Sequence, residues 1–140
     1  MNNNSCCINN ILEVINCLQN KAEKIDDIPN TCDRPFLGFP NVNSSFIYNT
    51  RPVNLYNSNN TLFTFPYEIT YNGQTITGDS SVLRVEDVDG CCCTFRILAP
   101  NPDTTTADTI PYVATNNFTT VNGNCVCALR CLADTFVDSI

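Results

Sequence analysis

The chain has 140 residues, enough for one domain that buries roughly two thirds of its unfolded surface. Only 15% of the residues are charged, and seven basic against fourteen acidic side chains leave a formal net charge of −7. That balance excludes nucleic acid and anionic membrane as partners, since both demand clustered Lys and Arg. The absence of any histidine excludes Ser-His-Asp and Cys-His catalysis.

Residues 1–7 are polar and Asn-rich, with neither a basic stretch nor an apolar one, so no secretory signal is expected. No run of about 20 apolar residues occurs, and no membrane span is expected. Over about 7–25, Ile8, Ile11, Leu12, Ile15, Leu18, Ala22 and Ile25 recur at spacings of three and four. This predicts one amphipathic helix, with Cys17 off its apolar stripe. From Pro35 onward Thr, Val, Phe, Tyr and Asn dominate, predicting a β-rich body over about 35–131. Short strands are expected at 46–48, 53–56 and 110–114.

Three hairpins are expected in that body. The first joins 62–71 to 74–77 through Asn72-Gly73, whose residue types supply the positive φ values of a tight turn. The second joins 81–88 to 91–98 through Asp89-Gly90, and the third joins 118–121 to 125–129 through Asn122-Gly123. Residues 100–108 form a Pro/Thr/Asp loop. Arg51, Arg84 and Arg96 are placed to pair with Glu86 or Asp87 across strands. The predicted fold is mainly β: a single domain, 1–140, folded as an antiparallel sandwich or partly closed barrel with one N-terminal helix.

Ten cysteines carry the chemistry: Cys6, Cys7, Cys17, Cys32, Cys91, Cys92, Cys93, Cys125, Cys127 and Cys131. Adjacent Cα atoms lie about 3.8 Å apart, below the ~4.4 Å that a relaxed disulfide needs. On a strand, Cys91 and Cys93 share a face near the upper limit of about 6.8 Å, while Cys92 points the other way. Clustered thiols therefore need partners elsewhere, in the same chain or a neighbouring one. The mobile termini make Cys6, Cys7, Cys17 and the trio Cys125, Cys127 and Cys131 the expected intermolecular linkers. Cys91 to Cys93 are expected to divide between a buried side and an available one. The alternative is a cytosolic zinc-thiolate protein, with Cys93, Cys125, Cys127 and Cys131 around one ion. It lacks the usual Cys-x-x-Cys knuckle. No phosphate loop occurs, Asp87 and Asp89 lack the other ligands of a calcium loop, and no catalytic residue or cofactor is expected. The sequons at Asn3, Asn43, Asn59 and Asn117 carry little weight in a chain this rich in Asn, Ser and Thr.

Several blocks carry a resemblance. Cys32-x-x-Pro35-Phe36-Leu37-Gly38 is followed by the run from Asn49 to Tyr56, then by Val82 to Asp89 leading into the cysteine triplet and Thr94 to Leu98. With the tail Cys125-x-Cys127-Ala128-Leu129-Arg130-Cys131-Leu132, the order of these blocks resembles the CotY/CotZ-type spore coat proteins, including the exosporium protein ExsY. The resemblance implies a structural subunit that self-assembles into two-dimensional, hexagonal sheets on bacterial endospores, cross-linked by intermolecular disulfides. It implies hexamers of itself and other coat or exosporium proteins as partners. It also implies synthesis in the mother-cell cytoplasm and a final place at the spore surface. The triplet Cys91-Cys92-Cys93 exceeds the single cysteine of the family pattern, and no His-rich N-terminal stretch is present.

Overall fold

The computed structural model describes residues 7–20, 32, 37 and 48–138. A helix α1 (Cys7–Asn20) precedes seven strands: β1 (Val53–Tyr56), β2 (Phe65–Tyr71), β3 (Gln74–Ser80), β4 (Leu83–Asp89), β5 (Cys92–Pro100), β6 (Tyr112–Asn122) and β7 (Ala128–Cys131). One 3-10 turn, Gly123–Cys125, links β6 to β7. The expected helical residues 21–25 and most of the expected strand at 46–48 lie outside the described residues. Five strands form an antiparallel sheet in the order β6-β5-β4-β1-β7, and β2 with β3 forms a separate hairpin. The expected mainly β fold with one N-terminal helix is present, and its sheets do not close into a barrel.

The first expected hairpin forms as read, with Asn72 at φ 52° and Gly73 at φ 77°. The second forms one residue late: Asp89 pairs with Cys92, so Gly90 and Cys91 make the turn, with Gly90 at φ 59°. The third does not form. After β6 the chain enters the 3-10 turn, and β7 crosses the sheet to pair with β1, from Val53 opposite Cys131 to Tyr56 opposite Ala128. Gly123 has no positive φ to offer a hairpin turn. Its missing Cβ serves the side chain of Asn9 on α1, which occupies that space.

Alternation along the strands gives the sheet one apolar face. Val53, Leu83 and Ile97 lie side by side in one cross-strand row, as do Val85 with Phe95 and Cys93 with Val121. Against this face pack Ile8, Leu12 and Ile15 of the helix, spaced on one stripe as expected, together with Phe63, Phe65 and Tyr67 beside and on β2. Gln19 fixes the end of the helix: its amide donates to Val85 O (2.9 Å) and its carbonyl accepts from Arg51 N (3.0 Å).

Arg84, Arg96 and Phe118 form a row on the polar face. A bulge in β4 between Val85 and Asp87 displaces Glu86. Its Oε2 thereby accepts from Arg96 Nε (3.3 Å), which is the expected cross-strand pair, and from Arg84 Nη1 (2.8 Å) on its own strand. Arg51 departs from that expectation. It is fully buried and forks onto Asp134, with Nε to Oδ1 at 2.9 Å and Nη2 to Oδ2 at 3.2 Å.

Candidate cross-linking site

The strand pleat decides the fate of the cysteine triplet. Cys92 and Cys93 are consecutive on β5, so one must point out and the other in. Cys93 is buried against the helix, its Sγ 3.5 Å from Asn9 Oδ1, whereas Cys92 and the turn residue Cys91 are exposed. Around them three segments meet at one pole of the sheet. Asn9 Nδ2 donates to Gly90 O (2.7 Å), Gly123 N donates to Cys91 O (2.7 Å), and Asn124 Nδ2 approaches Cys91 Sγ at 3.6 Å. Cys125 closes the 3-10 turn at this pole and is exposed.

The remaining expected linkers separate. Cys17 is exposed on α1, off the buried stripe. Cys127 is also exposed, its backbone N–H donating to Tyr56 O (2.9 Å). Cys7 opens α1, and Cys6 lies outside the described residues. Cys131 corrects the expectation of an outward-reaching C-terminal trio, because it is bonded to Cys32 of the same chain with Cα atoms 5.4 Å apart. Its side of β7 alternates inward, toward the core cluster, so the sulfur is presented to the chain's own residues.

The four-thiolate zinc alternative is not assembled. The sulfur of Cys131 is committed to Cys32, Cys93 is enclosed, and Cys125 and Cys127 face solvent. Among the described residues no three Cys, Asp or Glu side chains come together as metal ligands.

Sequence reasoning missed the polar groups that position these sulfurs. Asp134 holds Arg51, and Arg51 Nη1 donates to Cys32 O (2.9 Å), steering Cys32 toward Cys131. A lone acid among Leu132, Ala133, Phe136 and Val137 was the available signal for Asp134. Nothing comparable marked Asn9 or Gln19 among the other polar residues of the helix. A cleft lies between β2, β6 and the loop around Asp103, and none of the titratable side chains lining it is buried. Hydrogen bonds from the Thr105 hydroxyl and amide hold the Asp103 carboxyl below its ordinary pKa.

No helix among the described residues is long and apolar enough to cross a membrane. Comparison with curated proteins and with solved structures finds no match. Comparison with protein families matches residues 1–134 to the family described as spore coat protein Z. The chain belongs to the spore coat protein Z family, and that membership supports a structural role in the spore coat.

Proposed function

We propose that the protein is a shell subunit of the endospore surface, coat or exosporium, which tiles with copies of itself into a two-dimensional, hexagonal sheet. Disulfides between neighbouring copies then weld the sheet. The observation that carries this reading is the division of the sulfurs. One intrachain bridge ties Cys32 to Cys131, while Cys17, Cys91, Cys92, Cys125 and Cys127 stand exposed as thiols. Cys91 and Cys92 are neighbours in sequence and too close to bridge each other without strain. Their partners must therefore come from elsewhere, and in this reading they are thiols of other subunits.

Synthesis in the mother-cell cytoplasm keeps the thiols reduced while subunits pack non-covalently. When the cell fails, each pair of thiols gives up two protons and two electrons to a small-molecule disulfide such as oxidised glutathione. The bond that forms turns an equilibrium contact into a covalent one. Heterologous contacts that repeat around a ring, with rings joined by further contacts, generate an open sheet. Other coat or exosporium proteins anchor through the same surface thiols.

The test is expression in a reducing cytosol, followed by electron microscopy and by electrophoresis with and without reductant. Ordered sheets, with a ladder of oligomers that collapses on reduction after oxidation, are the expected result. A compact monomer that neither tiles nor ladders would end the proposal. A variant with Cys91, Cys92, Cys125 and Cys127 all changed to Ser should still tile, but its sheets should dissolve in hot detergent.

A further inference from the structure

The five-stranded sheet ends at β6, a strand of 11 residues whose outer edge has no ladder partner among the described residues. Edge strands are normally blunted by charge, proline or a bulge, because an open row of backbone N–H and C=O groups invites another strand. β6 contains no charged residue and no proline. It has one irregularity, where Arg96 pairs with Phe118 and Leu98 with Ala114, so that residues 115–117 are displaced. Beyond it, residues 118–122 return to regular pairing with β5, from Phe118 opposite Arg96 to Asn122 opposite Cys92. Among the described residues, these five form a regular edge with no ladder partner and no blunting device.

The side chains there suit a second strand. Phe118, Thr120 and Asn122 face outward, and Phe118 is 49% exposed, the most exposed large hydrophobic side chain described. Its ring is held by Arg96, whose guanidinium lies 4.5 Å from the ring centroid. On the other side Val121 belongs to the core and Thr119 is half-buried. A strand added here would continue both faces. Charge narrows the identity of that strand. The molecule carries −7 overall, yet the edge strand is itself neutral: the Phe118 row leads inward to Arg96 and Arg84 with Glu86, and the carboxylates of Asp87 and Asp89, in the rows of Thr120 and Asn122, stand two strands in on β4. Because β6 carries no charged side chain, two acidic copies can bring these strands together without setting like charges directly opposite each other.

Resting on the reading of a self-assembling subunit, we infer that residues 118–122 pair antiparallel with the same residues of a second copy. Thr120 faces Thr120 across a two-fold axis, and the two sheets join into one. Such a contact is isologous, since the same patch serves both copies. In this register Phe118 of each copy stands opposite Asn122 of the other, and Val121 opposite Thr119, which preserves the inward and outward alternation.

The test is Thr120→Lys, compared with wild type under reducing conditions by sedimentation velocity and electron microscopy. Lysine on an open edge blocks strand addition, while it lowers the net charge from −7 to −6. General repulsion therefore cannot explain any loss of association. Thr94→Val is the control, because it removes the same side-chain contact, Thr94 Oγ1 to Thr120 Oγ1 at 3.2 Å, without charging the edge. The expected result is at least a tenfold rise in the protein concentration needed for association in Thr120→Lys, with Thr94→Val unchanged and circular dichroism identical in all three. Association of Thr120→Lys at wild-type concentrations overturns the inference, and so does a wild type that stays monomeric. A wild-type dimer that is lost in Thr120→Lys but never tiles keeps the edge pairing and ends the lattice reading instead.

Discussion

Arg51 is the side chain on which the sulfur chemistry of this fold most depends. It has no solvent contact, and its charge is answered by Asp134, by the carbonyl of Cys32 and, at its backbone N–H, by Gln19. Removing one partner of a buried ion pair leaves the other charge uncompensated and typically costs about 3–5 kcal/mol. Asp134→Ala should lower stability by about that amount in urea unfolding of the soluble subunit, and it should slow formation of the Cys32–Cys131 bridge. Unchanged stability would mean that water reaches Arg51. An exposed ion pair behaves differently, with a median worth of about 0–1 kcal/mol. The pairs of Glu86 with Arg84 and Arg96 fall between these limits, since Glu86 is only partly covered. Asp103 supplies a pH effect at this scale. The Thr105 hydroxyl and amide favour the ionised carboxylate, so the folded pKa lies below the ordinary 3.8. The contribution of this loop is then fully present above pH 3.8 and is lost as pH falls through the lower folded value. The amide resonance of Thr105 should follow that transition, and Asp103→Asn should abolish it.

At the scale of elements, legibility in the sequence followed the kind of signal each element carried. The helix was readable because Ile8, Leu12 and Ile15 recur at its period and all three are buried. The hairpin at Asn72-Gly73 was readable because the turn needs two positive φ values and those residue types accept them. The same dipeptide at Asn122-Gly123 misled, since a glycine can be required for space as well as for torsion. At Gly73 an added Cβ meets nothing, but φ is 77°; at Gly123 the added Cβ would run into the amide of Asn9. Long-range packing of that kind leaves no trace in local sequence. Gly123→Ala should therefore cost about 1–3 kcal/mol as an overpacking change, and a shorter side chain in place of Asn9 should recover part of it. The recovery, read as a non-additive double-mutant cycle, separates crowding from backbone strain. Pairing of β7 with β1 was invisible for a related reason, because strands of four residues carry too little alternation to specify a partner. The exposed thiols were partly legible: the pleat required Cys92 and Cys93 to diverge, but which side was buried depended on the helix.

For the whole molecule, the ten cysteines divide labour according to how far each reaches. The bridge from Cys32 to Cys131 spans 99 residues of sequence. Typical bridges stabilise a fold by about 2–4 kcal/mol, and the chain-entropy relation puts a loop of about 100 residues just above that range, at about 4–5 kcal/mol. Cys32→Ser should lower subunit stability by that much yet leave the intermolecular ladder intact, because the exposed thiols are untouched. Loss of the ladder in this variant would show that the subunit must be stapled before it can join a sheet. Assembly has a second, electrostatic control. Every copy carries −7, with seven basic residues in all, of which Arg51, Arg84 and Arg96 are engaged in ion pairs within the chain. Copies therefore repel at long range, whatever attraction operates at contact. The repulsion reaches about 30 Å at 0.01 M salt and about 10 Å at 0.1 M. Contacts made by strand pairing and apolar burial are short-ranged, and salt weakens them little. Raising ionic strength should thus speed sheet growth and lower the protein concentration at which it begins, as followed by light scattering under reductant. Equal growth at both salt levels would mean that the acidic side chains face away from every interface.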